Sequence, residues 1–157
     1  MGKRILVPLS HREPAREIVP LIGALARGGG ASVRLLEVFP VPERIVGPHG
    51  RVVAYVDQET QRLTAVGVAD LRTAETYFHD VPVESTVRFG DPIEEILREA
   101  DAVDADLIAL VAPEGNRLRR VLSADVADRV ARKASIPTLL LRPGAVDRET
   151  GRRWRLA

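Results

Sequence analysis

The chain has 157 residues and a formal net charge of +1, with 45% hydrophobic, 29% charged and only 4% aromatic residues. This length suits one domain with an aliphatic core, and the near-zero charge gives no overall attraction to a polyanion, so we expect no nucleic-acid partner. The absence of cysteine excludes disulfides and thiol catalysis and fits a reducing compartment, so we expect a cytoplasmic protein. No apolar run approaches the ~20 residues that span a bilayer, and the first residues do not resemble a signal peptide, so we expect no membrane insertion.

Strand-like and helix-like patterns alternate in the first half of the chain. Pro20 should kink or shorten the first helix, and Gly67 should weaken the second. The proline-rich and glycine-rich segment 40–50 predicts a long loop, and 52–56 predicts a short edge strand or more of that loop. The elements predicted here are strands over 4–9, 32–39 and 81–88, and helices over 14–27 and 58–79.

The second half begins with the clearest local signal in the chain. Asp91 can cap a helix, Pro92 suits the first helical position, and Glu94 completes a capping-box arrangement. A strand over 107–111, a helix over 125–134 and a last strand over 137–142 follow. The alternation predicts βαβ units and therefore a parallel sheet with helices on both faces.

Short motifs occur in a fixed order and spacing along the chain. They are Ile5-Leu-Val-Pro8, Leu35-Leu-Glu-Val38, Gly90-Asp-Pro-Ile-Glu-Glu-Ile-Leu97 and Ala105-Asp-Leu-Ile108. The run 126–141, with Val126-Ala-Asp-Arg-Val130 and Ile136-Pro-Thr-Leu-Leu-Leu141, follows them. Together they resemble the universal stress protein family over nearly the whole chain.

The resemblance implies an α/β fold: an open five-stranded parallel sheet flanked by helices on both faces, Rossmann-like and similar to the adenine nucleotide alpha hydrolases. We expect the last strand, with Leu139-Leu-Leu141, to form the edge of the sheet. The resemblance also implies a homodimer that pairs this strand, 137–142, with its twin, and a role in stress survival without dedicated turnover chemistry. We expect a single domain over 1–143 followed by a basic tail over 144–157 that contains Trp154.

One branch of the family binds ATP through Gly-x-x-Gly, nine further residues and Gly-Ser/Thr. The corresponding positions here are Val111, Glu114, Ala124 and Asp125, and none of them matches. Gly115 lies one place late and supplies only one glycine for a shifted loop. Because phosphate needs close approach to backbone N–H groups, these departures argue against tight ATP binding.

At the nucleoside end of the family site the match is partial. Pro8 and Val38 agree with the family pattern, although strand ends explain both equally well. The acidic residue of the binding branch is replaced by Ser10. These residues, with Val111, Gly115, Ala124 and Asp125, form the candidate nucleotide cleft.

Charged residues near the final helix support opposite conclusions about phosphate binding. Ser123 is a natural helix cap, and Asp125 would place its own anion in the first helical turn. The two residues either serve only to cap the helix, or Asp125 also repels nucleotide. Arg117, Arg119 and Arg120 form either a solvated basic loop or guanidinium ligands for phosphate. A nucleotide, ATP with Mg²⁺ included, held by Arg117 and Arg120 is therefore the alternative to a cleft without a cofactor.

No pattern predicts an enzyme or a structural metal site. Ser10 and His11 are adjacent, but no orienting acid or oxyanion site accompanies them. The histidines are isolated from one another. The interpretation we favour is a non-enzymatic regulatory module that acts as a homodimer through protein partners.

Overall fold

The computed structural model describes residues 2–10, 15–111, 124–142 and 155–156. In these ranges strands alternate with helices, as predicted. The strands are β1 (Lys3–Leu9), β2 (Ala31–Phe39), β3 (Ile45–Val46), β4 (Val52–Ala54), β5 (Val83–Phe89), β6 (Leu107–Val111), β7 (Thr138–Arg142) and β8 (Arg155–Leu156). The helices are α1 (Ala15–Gly29), α2 (Val56–Glu75), α3 (Pro92–Ala102) and α4 (Ala124–Lys133), with a 3-10 helix at Pro48–Gly50.

Five parallel strands form the central sheet in the order β5-β2-β1-β6-β7. The central strand, β1, pairs with β2 along its whole length, from Lys3 opposite Ala31 to Leu9 opposite Glu37. On its other side it pairs with β6 at Ile5 and Leu6. Parallel neighbours need long crossover connections, which the helices supply. The predicted five-stranded parallel sheet is confirmed.

A further strand extends this sheet beyond the prediction. β8 pairs antiparallel with the end of β7, placing Leu156 opposite Leu141 and Arg155 opposite Arg142. The prediction that the last parallel strand is the sheet edge is therefore wrong at its carboxyl end, because two residues of the expected tail pair with it. The division into a domain over 1–143 and a tail over 144–157 remains a prediction.

The sheet is buried on both faces by aliphatic side chains. Along β1, Ile5 and Val7 pack with residues of α1 and α2, whereas Leu6 packs with residues of α3 and α4. This alternation places one core cluster on each face. The predicted arrangement of helices on both faces is thus confirmed, and burial of a strand on both sides explains its continuous apolar run.

Of the two effects predicted for Pro20, a kink or a shorter helix, the shorter helix is not observed. The helix runs continuously from Ala15 to Gly29. Proline removes one N–H bond near the start of the helix, but Ile18 and Ile22 on either side of it are fully buried. Burial of this apolar face outweighs the missing bond. The helix ends where Gly30 adopts a φ of 62°, a conformation that glycine favours.

The segment after β2 contains a hairpin where the sequence predicted mainly loop. β3 and β4 pair antiparallel, with Ile45 opposite Ala54, in a sheet separate from the central one. Large apolar side chains around this hairpin are exposed: Val41, Val46, Tyr55 and Val56. The hairpin therefore presents apolar surface outside the main core.

The start of α3 shows the predicted Asp91 cap, without the reciprocal Glu94 bond of a capping box. Asp91 has an extended backbone, and one of its carboxylate oxygens accepts from the N–H of Ile93 at 3.0 Å and of Glu94 at 3.1 Å. Pro92 occupies the first turn, where its missing N–H has no consequence. The aspartate thus satisfies N–H groups that the helix itself cannot.

We expect Asp91→Ala to lower the free energy of unfolding by about 1 kcal/mol, because both N–H groups lose their acceptor. Urea unfolding followed by circular dichroism measures the change. Asp91→Asn is the matched control, since its amide oxygen retains the acceptor and should retain most of the stability. Equal losses in the two variants would show that capping is not the reason for the effect.

Candidate nucleotide cleft

The carboxyl ends of β1, β2 and β6 meet at one edge of the sheet. β2 lies on one side of the central β1 and β6 lies on the other. The chain connections therefore diverge at this point, the position at which open parallel α/β sheets have a crevice above the strand ends. Crevices of this kind are the usual ligand sites of open parallel α/β sheets.

The structure brings Pro8, Ser10, Val38 and Val111 to this edge. Leu9 is level with Glu37, so Ser10, which directly follows β1, lies level with Val38 on the next strand. Val111 is the last residue of β6, on the other side of β1. Neighbouring strands are ~4.8 Å apart, so the residues predicted from three separate segments lie at one edge of the sheet.

Val38 and Val111 are mainly core residues. Val111 is 2% exposed and packs in the cluster on the α1 and α2 face, and Val38, 9% exposed, packs in the cluster on the other face. Val111 is also the register partner of Leu141 on β7. The position at which the ATP-binding pattern has its first glycine is therefore occupied by a strand residue with a buried side chain.

Ala124 and Asp125 are the first two residues of α4. The N–H of Ile108 donates to the carbonyl of Pro137 at 3.1 Å, so β7 begins beside the amino half of β6. α4 has 10 residues and ends shortly before β7, and such a helix is ~15 Å long. Its start therefore lies toward the carboxyl edge of the sheet.

Gly115, Arg117 and Arg120 lie outside the described residues. The same holds for Glu114, Arg119 and the cap candidate Ser123. Their contribution to the cleft stays a prediction from the sequence.

Sequence reasoning did not identify Glu37 as part of this edge. Its side chain is only 2% exposed, and the residue is level with Leu9 on β1 and Val87 on β5. An ideal Cβ atom on Gly67 of α2 would lie 3.3 Å from its carboxylate, which places the acid under that helix. Its place within the apolar run 35–38 was the sequence signal that could have identified it as a buried acid.

A second charged group, the Glu99 ion cluster, consists of Arg34, Glu84, Arg88 and Glu99. The Glu99 side chain is 1% exposed, and its oxygens accept from Arg34 Nε at 2.9 Å and Arg88 Nη2 at 2.6 Å. Arg34 also contacts the exposed Glu84 at 3.0 Å. The cluster ties α3 to β2 and β5. Because arginine N–H groups satisfy both carboxylate oxygens, we assign it a structural role.

Within the four described ranges, no group of three or more histidine, aspartate or glutamate side chains is arranged to hold a metal ion. A separate search of the same residues found no helix with both the length and the apolar composition to cross a membrane.

Comparisons with known proteins give a consistent result. The profile of the universal stress protein family matches residues 1–142. The stress response protein NhaX of Bacillus subtilis (strain 168) is 32% identical over 53 residues, which are 34% of this chain and 32% of NhaX. The chain thus matches only about a third of the length of that relative.

Solved structures share the fold at low sequence identity. A universal stress protein in complex with cAMP is 17% identical, with a TM-score of 0.61, over 90% of this chain and 98% of its own. The universal stress protein from Archaeoglobus fulgidus in complex with dAMP is 19% identical, with a TM-score of 0.52, over 88% and 96% of the two chains. With the family profile covering nearly all of the sequence, the chain belongs to the universal stress protein family.

Proposed function

We propose that this protein is a non-enzymatic regulatory module of the universal stress protein type, without tight ATP binding. It acts in the cytoplasm, as a homodimer, through protein partners. The observation that supports the absence of tight ATP binding is the cleft itself, in which a buried valine and an acid stand at positions where ATP-binding members have glycine and a hydroxyl residue.

Val111 supports the proposal through its packing. Its backbone belongs to the β6–β7 ladder and its side chain to the core. A phosphate-binding turn needs successive N–H groups that point outward with no side chain in the way. Replacing the valine by glycine would leave a cavity rather than create such a turn.

Asp125 supports it through charge. It lies in the first turn of α4, where the free N–H groups and the helix dipole would otherwise attract phosphate. A carboxylate at that position complements the dipole and repels a triphosphate.

The second candidate function is binding of an adenine nucleotide through Arg117 and Arg120, with Gly115 in a shifted loop. It is supported by the two solved universal stress proteins that share this fold and hold cAMP or dAMP. Guanidinium groups bind phosphate oxygens in pairs without a glycine-rich loop.

We expect calorimetric titration with ATP and Mg²⁺, at low and moderate salt, to show no binding tighter than about 1 mM. The double variant Ala124→Gly/Asp125→Ser should gain about fivefold in affinity, because about 1 kcal/mol of unfavourable charge is removed and backbone approach is eased. Titrations followed by ¹H–¹⁵N chemical shifts detect such weak affinities.

Asp128→Ser is the matched control, because it removes an exposed acid of the same helix, paired with Arg132 at 2.9 Å. It should leave nucleotide affinity unchanged. Micromolar binding by the unchanged protein would overturn the first proposal, and its loss in Arg117→Ala or Arg120→Ala would then establish the arginine loop. The same titrations with cAMP and dAMP separate mononucleotide from triphosphate binding.

A further inference from the structure

On β7, every second residue directs its backbone N–H and carbonyl groups toward the outer edge of the sheet. The carbonyl of Pro137 accepts from Ile108, so Leu139 and Leu141 also direct their N–H and carbonyl groups toward β6. In the extended strand the alternate residues Thr138, Leu140 and Arg142 direct theirs away from β6, toward the outer edge.

The described residues of β8 pair with only the last of these outward-facing residues. Arg142 pairs with Arg155, and because Arg142 faces outward this is the pair that exchanges hydrogen bonds. Leu141 and Leu156, the other opposed residues, form the non-hydrogen-bonded pair. In the part of the chain that the structure describes, Thr138 and Leu140 have no strand partner on this side.

A second copy of the chain fits the same edge and covers more of it. β8 runs antiparallel to β7, which is also the direction of a twin β7 related by a two-fold axis perpendicular to the sheet. Centred on Leu140, this pairing places Thr138 of each copy opposite Arg142 of the other. All outward-facing residues of β7 then find partners, whereas the described residues of β8 provide a partner for Arg142 alone.

Side-chain evidence on β7 points in the same direction. The hydroxyl oxygen of Thr138 is buried and makes no hydrogen bond to any other described residue. Buried hydroxyl groups generally find a partner, and a second strand laid along this edge would bring polar groups to Thr138. Leu139 and Leu140 are only partly buried where they pack against the two core clusters.

We propose that β8 competes with the β7 strand of a second copy for one edge of the sheet. The carboxyl-terminal strand thereby weakens self-association, and its release allows the dimer to form. This inference rests on the homodimer of the proposed function and adds the element that regulates it.

The test compares the full chain with Arg155→Pro and Arg155→Ala by sedimentation equilibrium over a wide concentration range. Proline removes the N–H that donates to Arg142 and disfavours pairing, whereas alanine removes the same charge and retains the N–H. We expect the dimer dissociation constant of Arg155→Pro to fall about tenfold or more below that of the full chain. Arg155→Ala should stay close to the full chain.

Amide hydrogen exchange supplies a second readout. The amide of Thr138 faces the outer edge and lies four residues before Arg142, the outward-facing residue that β8 pairs with, so pairing with a second copy protects it. In Arg155→Pro its protection should increase with protein concentration more steeply than in the full chain. The variant affects a peripheral strand, and an unchanged circular dichroism spectrum checks that the five parallel strands remain folded.

The other outcomes separate the two proposals. Equal dissociation constants in all three proteins would overturn the competition and leave the dimer standing. A weaker dimer in Arg155→Pro would also overturn it, since β8 would then support association. A concentration-independent monomer mass in every protein would overturn both the homodimer and the competition.

Discussion

Replacing Glu99 by alanine is expected to lower the free energy of unfolding by roughly 3 kcal/mol, the lower end for breaking a buried ion pair. The Glu99 side chain is 1% exposed and holds the guanidinium groups of Arg34 and Arg88, which are 22% and 44% exposed. Without it, two positive charges remain together under α3. Because both arginines retain contact with water, the loss should not reach the value for a fully buried charge.

Chemical unfolding of Glu99→Ala and Glu84→Ala side by side measures this. Glu84 belongs to the same cluster and also pairs with Arg34, but its side chain is 80% exposed. Its removal should change stability by no more than about 0.5 kcal/mol, as is usual for exposed ion pairs. If both variants lost the same small amount, the cluster would not be what anchors α3 to the sheet.

Gly67→Ala is expected to destabilise the protein by roughly 1–2 kcal/mol, although alanine is the better helix former. Gly67 is buried in α2, and an added Cβ would lie 2.7 Å from Phe39 and 2.9 Å from Val87. Overpacking of this kind costs about 1–3 kcal/mol, which exceeds the gain of up to about 1 kcal/mol from helix propensity. α2 would have to move away from β2 and β5.

Gly28→Ala is the matched control for this prediction. Gly28 lies in the last turn of α1, and an added Cβ there meets nothing within 4 Å. The same chemical change should therefore be neutral or stabilising by up to about 1 kcal/mol. Thermal unfolding of the two variants should show shifts of opposite sign, and a stabilising Gly67→Ala would show that α2 docks less closely than the structure indicates.

For two elements of the fold, local sequence signals were sufficient to predict the structure. The strand over 107–111 was predicted at its observed bounds, and the Asp91 cap was predicted with its helix. In both cases the deciding interactions lie within a few residues. The strand is an apolar run flanked by polar residues, and the Asp91 carboxylate accepts a hydrogen bond from an N–H three positions later. The shortening predicted for Pro20 was wrong because burial of α1 against the sheet, which is not local, outweighs the missing backbone hydrogen bond.

The candidate cleft was predictable in part for a similar reason. Pro8, Ser10, Val38 and Val111 follow or end strands whose parallel order places them at one edge. Their proximity therefore follows from the predicted alternation of strands and helices. The sequence did not show that Val111 pairs with Leu141 on β7, because strand pairing joins distant segments.

The order of apolar and polar residues along the chain was enough to establish the parallel α/β fold, because the periods of strands and helices are local properties. Tertiary structure decided which charged residues and glycines contribute to stability. Glu99 lies at helical spacing from Ile96 but finds its partners on β2 and β5, and Gly67 permits an approach that its neighbours in sequence do not reveal. The pairing of β8 with β7 was likewise beyond the sequence, since strand edges find partners by position in space.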